Sequence, residues 1–513
     1  MLVKTFAAAV SGISATIITI EVSCTKGIQF FLVGLPDVAV RESHERIISA
    51  LQVNGFKFPR SRIVINMAPA DIRKEGSAYD LPLAIGVLAA AGDIDASSLD
   101  KYMLMGELSL DGALQPVKGA LPIAIKAREE GFKGFILPKK NAYEAAVVDN
   151  LEVYGADNIK EVINFFSGKG DLERTVVDAD KEFFDKNQHF ENDFSDVRGQ
   201  ENVKRALEVA AAGGHNLIMI GPPGSGKSML AKRLPTILPP LSLSEALETT
   251  KIHSVAGKVG ERTSLLSQRP FRAPHHTISN VAMVGGGSFP QPGEISLAHN
   301  GILFLDELPE FNRNVLEVLR QPLEDRHINI SRARFAVDYP AGFMLVSSMN
   351  PCPCGFYNHP TRPCVCPPGA VQKYLNRISG PLLDRIDIQI EITPVPFEKI
   401  SEQRPSEAST TVRERVIKAR EIQKKRFEEY NGIHCNAQMS SKLLHLFAVP
   451  DESGLSLLKN AMQHLNLSAR AYDRILKLSR TIADLEEEDD IRSNHIAEAI
   501  NYRNLDRETW GTL

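Results

Sequence analysis

The stretch Gly221-Pro222-Pro223-Gly224-Ser225-Gly226-Lys227-Ser228 fits the pattern G-x-x-x-x-G-K-[ST] in full. It follows an apolar run, Asn216–Ile220, and precedes a segment with helical spacing, Met229–Leu234. Strand, glycine loop and helix in that order make a phosphate cradle. The glycines let backbone N–H groups turn toward a β-phosphate, and the helix start adds a favourable field. Lys227 is placed to reach β- and γ-phosphates, and Ser228 to ligate Mg²⁺. A chain built around this loop needs an α/β core to carry it.

Further polar residues end apolar runs downstream. Gly301–Leu305 leads into Asp306 and Glu307. There Asp306 is expected to hold Mg²⁺ through water, and Glu307 to polarise an attacking water. Phe343–Ser348 is a further expected strand, leading to Asn350, which could orient that water. Arg385 lies beside another apolar run, and Arg470 stands near the start of a helical segment.

In this order and spacing the motifs resemble those of AAA+ ATPases, which have an α/β P-loop core followed by an α-helical lid. The resemblance implies ATP and Mg²⁺ as ligands. It makes Asn350 sensor 1, Arg385 the arginine finger and Arg470 sensor 2. It likens Asp196–Gln200 to the motif that contacts the nucleotide base. An arginine finger acts on a neighbour's γ-phosphate, so a homo-hexameric ring is implied.

Two further segments narrow the resemblance. Arg269–Ser279, Gly285–Gly287 and Pro292–His299 resemble the helix-2 insert of the magnesium-chelatase-like branch. Asp325–Asp338 reads as a basic hairpin ahead of the sensor 1 strand. With residues 1–170 included, nearly the whole chain resembles the ComM/YifB family. That implies an ATP-driven motor on single-stranded or branched DNA, active in homologous recombination or natural transformation, with recombinase partners. A chelatase-like or protein-remodelling ATPase is the alternative. Arg332 and Arg334 flank Ala333 on one strand, so both would face one side. Repeated on six hairpins, they are the expected DNA contacts. His275 and His276 read as loop structure or DNA contacts.

Residues 1–170 resemble the α+β proteolytic domain of Lon proteases through Lys74–Asp80 and Gly106–Gly112. In register, the protease's nucleophilic Ser falls on Ala78 and its Lys on Leu121, and neither can serve. The expected domains are therefore 1–170 Lon-like without the dyad, 171–192 linker, 193–393 AAA+ core and 394–513 helical lid. A chain of 513 residues accommodates three such units.

Cys352, Cys354, Cys364 and Cys366 form two C-x-C pairs, a candidate tetrathiolate Zn²⁺ site. Metal loss is expected to weaken ring assembly before nucleotide binding. The formal net charge of -4 excludes a bulk-basic nucleic-acid binder, so any DNA contact must be local. The apolar stretch Phe6–Ile20 is interrupted by Ser11, Gly12, Ser14 and Thr16, and its second half reads as a strand rather than a signal peptide. Cytoplasmic placement without a membrane span is expected.

Overall fold

The computed structural model of the chain describes residues 1–178, 183, 190–287, 290–332, 335–395, 406–430, 432–465 and 467–503. An eight-stranded mixed sheet opens the fold. Its spatial order is Arg174–Thr175, Glu152–Ala156, Gly134–Pro138, Tyr102–Leu104, Leu2–Ser11, Ser14–Thr25, Arg62–Ala68 and Gln29–Val33. Ser14–Thr25 and Arg62–Ala68 alternate between buried and open faces, with Ile18, Ile20, Val22, Ile63, Ile65 and Met67 buried, whereas Tyr102–Leu104 and Gly134–Pro138 are buried throughout. The helix Asp80–Ala91 is apolar on nearly every side and crosses this sheet. Gly86 sets its depth, because a Cβ there would lie 2.8 Å from Val22 Cγ2. Arg174–Thr175 pairs with Val153–Tyr154, so the first residues of the stretch read as linker complete this sheet.

A five-stranded parallel sheet forms the second core, ordered Phe271–Arg272, Ile302–Leu305, Met344–Met349, Leu217–Ile220 and Ile388–Glu391. Its three central strands, Ile302–Leu305, Met344–Met349 and Leu217–Ile220, are buried at every position, as covered parallel strands must be. The first of the five strands in the chain, Leu217–Ile220, lies between the fourth and fifth. That switch in strand order opens a crevice at the carboxyl ends, where ligands of such sheets bind.

Among the described residues five α-helices follow: Ser409–Arg426, Ser441–Phe447, Glu452–His464, Ala469–Leu485 and Ser493–Asn501. Their apolar faces join one hydrophobic cluster with the parallel sheet, and the helix Glu201–Gly213 touches both the strand Ile388–Glu391 and the helices Ser409–Arg426 and Ala469–Leu485. A buried polar network crosses the same boundary. His215 sits between Asp387 (Nδ1 to Oδ2, 3.0 Å) and Thr481 (Nε2 to Oγ1, 2.8 Å), and Arg474 holds the other Asp387 oxygen at 2.9 Å. Burial holds the His215 imidazole below its ordinary 6.5. Burial alone would raise the Asp387 carboxyl, but the Arg474 charge and the His215 hydrogen bond outweigh it and hold it well below the usual carboxylate range.

Both groups are depressed in the fold. Their stabilisation is therefore complete above about pH 6.5 and lost progressively as the pH falls below it. Replacing the ring, His215→Ala, strands a buried Asp387 oxygen, while Thr481 Oγ1 keeps the Lys477 carbonyl and Asn436, and should cost about 2 kcal/mol. Urea unfolding at pH 7.5 should show that loss, and a flatter pH dependence between pH 5 and 7. An unchanged midpoint would contradict the network's role.

The hairpin His327–Arg332 and Phe335–Pro340 packs Ile328, Ile330, Val337 and Tyr339 inward. The turn between the first two strands of the chain touches it: Ile13 packs on the same cluster, and a Cβ at Gly12 would lie 3.1 Å from Val337 Cγ1. No described helix is long and apolar enough to cross a membrane.

Candidate functional site

Three strands of the parallel sheet deliver the site at their carboxyl ends. Leu217–Ile220 runs into the glycine loop, whose Gly224 and Gly226 take φ of +78° and +88°. These angles turn the loop back on itself before the helix Lys227–Arg233 begins. Lys227 Nζ donates to the loop carbonyls of Gly221 (2.7 Å) and Pro222 (2.9 Å), and to Asn350 Oδ1 at 3.3 Å. Burial pulls its ammonium below the ordinary lysine value, while the charges of Asp306 and Glu307 oppose that. Ser225 Oγ is buried without a partner in the same loop.

The neighbouring strand Ile302–Leu305 ends at Asp306. Ser228 Oγ donates to Asp306 Oδ2 at 2.6 Å, and Ser348 Oγ donates to Oδ1. Two oxygen donors suited to a hard cation thus face each other, with the cationic Lys227 beside them. The next residue, Glu307, adopts φ 53° and ψ 49°, a left-handed conformation uncommon for a side chain of this size. Its exposed carboxylate lies 3.9 Å from His276 Nδ1. His276 is held in turn by the His275 ring (centroids 4.1 Å apart) and Phe311 (6.4 Å). The structure therefore sets two hydrogen-bonded pairs side by side, Lys227 with Asn350 and Ser228 with Asp306, with Glu307 at their rim.

Three family models match the chain in succession: "Subunit ChlI of Mg-chelatase" over residues 20–141, "Magnesium chelatase, subunit ChlI" over 193–400, and "Magnesium chelatase, subunit ChlI C-terminal" over 406–503. Protein YifB of Escherichia coli (strain K12) is 46% identical over 502 residues, 97% of this chain and 96% of its own. Competence protein ComM of Haemophilus influenzae is 45% identical over 501 residues, again 97% and 96%. The chain belongs to the ComM/YifB family. Lon protease 2 of Bacillus subtilis shares 29% identity over 157 residues, 28% of this chain and 27% of its own.

The two arginines expected to contact nucleotide in the ComM/YifB chain sit elsewhere. Arg385 and Arg470 share a cleft of about 200 Å³ with Glu324, Asp384, Arg474 and Lys477, and its lining includes none of Lys227, Ser228, Asp306 and Glu307. Arg385 donates to Glu324 and to the Pro381 carbonyl (2.5 Å), and its Nε is buried without a partner. Exposed Arg470 pairs with Asp384 at 2.7 Å. Arg474 and Lys477 continue its helix face at i+4 and i+7. That spacing is visible in the sequence and marks a basic stripe that belongs to no motif. Ser348 was also legible only as part of a strand, although it fixes Asp306.

At the Lon-like positions, Leu121 is fully buried and its backbone N–H donates to buried Glu144 at 3.1 Å. Ala78 offers only its carbonyl, to Gly106 N–H at 2.8 Å. A nucleophile and base are absent from both positions. Of the two expected DNA contacts, Arg334 lies outside the described residues. Arg332 ends the first strand of the hairpin, opposite Phe335.

Proposed function

We propose that this ComM/YifB-family chain is an ATPase that works as a ring of six copies on DNA, promoting branch migration in recombination or natural transformation. The observation that carries the ATPase reading is the convergence of Lys227, Ser228, Asp306 and Asn350 at the carboxyl edge of the parallel sheet. The partnerless Ser225 hydroxyl and the Lys227 ammonium, satisfied only by its own loop and Asn350, fit an anionic phosphate chain. Ser228 and Asp306 would hold Mg²⁺, which neutralises charge on the β- and γ-oxygens when bound.

The chemistry then follows from positions. Lys227 leaves the loop carbonyls for the phosphate oxygens. Glu307 accepts a proton from water as its oxygen attacks the γ-phosphorus, and the bond to the leaving ADP oxygen breaks. Asn350 orients that water. Arg385, turned toward a cleft away from its own P-loop, would stabilise the γ-phosphate of a neighbouring copy, with Arg470 beside it. The long identity to a protein named for competence supports the DNA reading. Recombinases are the expected partners, and the cytoplasm the expected compartment.

In this reading Arg332 and Arg334 line a central pore and contact phosphates. Replacing Arg332 by Ala should weaken four-way DNA binding at every sequence and lower the salt slope by about one for each copy in contact. Binding titrations from low to moderate salt check this, and an unchanged slope would remove Arg332 from the interface.

The family description also favours a second reading, a chelatase-type motor acting on a protein partner. The two separate by what stimulates turnover, DNA or protein.

A further inference from the structure

Four sulfur atoms converge beside the P-loop. The Sγ atoms of Cys352, Cys354, Cys364 and Cys366 all lie within 4.8 Å of one another. Measured pairs are 3.3 Å for Cys352–Cys354, 3.6 Å for Cys354–Cys364 and 3.7 Å for Cys352–Cys364. These separations exceed a disulfide bond of about 2.05 Å by far. They approach the edge of about 3.8 Å that a tetrahedron with zinc–sulfur bonds of about 2.3 Å requires. Tyr357 N–H points at Cys352 Sγ from 3.3 Å, the kind of backbone donor that orients a metal-bound thiolate. His359 stands apart from the cluster, its Nδ1 accepting from the Thr361 and Arg362 backbones.

The segment needs such a tie. Between the strand ending at Met349 and the helix beginning at Ala370 there is neither helix nor strand. Loops of that length inside a compact domain are uncommon without a staple or a function. This one is also pressed against the nucleotide loop. Gly355 has φ of +83°, and a Cβ there would stand 2.5 Å from Pro223 Cδ and 2.9 Å from Pro223 Cγ. Two residues before Cys352, Asn350 meets Lys227.

We propose that the four thiolates hold one structural Zn²⁺, and that the knuckle so formed braces the P-loop from outside through the Gly355–Pro223 contact. The metal half stands on sulfur geometry alone. The brace half rests on reading the Lys227 loop as a nucleotide site. It shifts the expected consequence of metal loss from ring assembly to nucleotide binding within a single chain.

The test uses the full chain purified without chelator. Elemental analysis should give about one zinc per chain. Cobalt replacing the zinc should show the absorption of a tetrahedral tetrathiolate. The pair Cys364→Ser with Cys366→Ser should abolish both. Gly355→Val should keep the zinc and the cobalt spectrum while binding a fluorescent ATP analogue about tenfold more weakly, through strain at a positive φ and the clash with Pro223. Zinc below about one per four chains, together with no thiolate spectrum for cobalt, overturns the site. Unaltered nucleotide affinity in zinc-loaded Gly355→Val overturns the brace. Full zinc without nucleotide binding by the unaltered chain overturns the P-loop reading, and the brace with it, while upholding the metal site.

Discussion

Arg385→Ala should lower ATP turnover by about 10³- to 10⁵-fold, the range set by removing an arginine finger. The reason lies in the placement of the guanidinium. It is buried in a cleft with Glu324 and Asp384, and the lining of that cleft contains no P-loop residue. An arginine that supports the reaction from there must do so across a subunit boundary, exchanging Glu324 for a neighbour's phosphate. Its partnerless Nε leaves a donor available for that exchange. ATP binding by the isolated variant should persist, because Lys227 and Ser228 are untouched. Lysine should restore little, since it lacks the planar fork.

A mixing experiment sharpens this. Lys227→Ala and Arg385→Ala chains should each be inactive alone, and a mixture should regain turnover, since each copy supplies what its neighbour lacks. Turnover of Arg385→Ala close to that of the unaltered chain would refute the trans arrangement. So would failure of the mixture to recover under conditions where the chains assemble together.

Glu307→Gln should lower turnover by about 10²- to 10⁴-fold and leave ATP affinity nearly unchanged. The side chain keeps its shape and loses only the ability to take a proton. Glu307 stands one residue beyond Asp306 in a left-handed conformation, at the rim of the site rather than within the group that would hold the phosphates. Binding and chemistry are therefore separable there. ATP-bound rings should accumulate in the variant, visible by nucleotide analysis of the assembled fraction. Loss of ATP binding in step with turnover would mean that Glu307 serves the ground state rather than the proton transfer.

Much of this site could be read from the chain because its parts are local. The glycine loop needs only a strand before it and a helix after it, and both are set by runs of a few residues. Asp306 and Asn350 follow apolar runs whose ends are sharp enough to locate. The α/β core follows from those same runs, and the parallel order of its strands is visible only in the folded chain. What escaped the sequence depends on packing between distant segments. His215 and Thr481 are 266 residues apart. Arg385 and Arg470 meet in one cleft, where Asp384 pairs with Arg470 across 86 residues. Gly355 reads as an ordinary turn glycine, and only the folded chain shows Pro223 against it. His276 stood out in the insert motif, but its approach to Glu307 depends on how the insert folds back on the strand end and had no local signal.

If ATP hydrolysis at this site drives movement on DNA, then DNA must in turn raise the rate of hydrolysis. The most direct test is ATP turnover by the full chain at low salt, with and without a four-way DNA junction. Turnover should rise several-fold with the junction, and that stimulation should decline as salt rises, be absent in Glu307→Gln, and be reduced in Arg332→Ala combined with Arg334→Ala. Turnover that responds to no single-stranded, forked or four-way DNA at low salt would contradict that coupling.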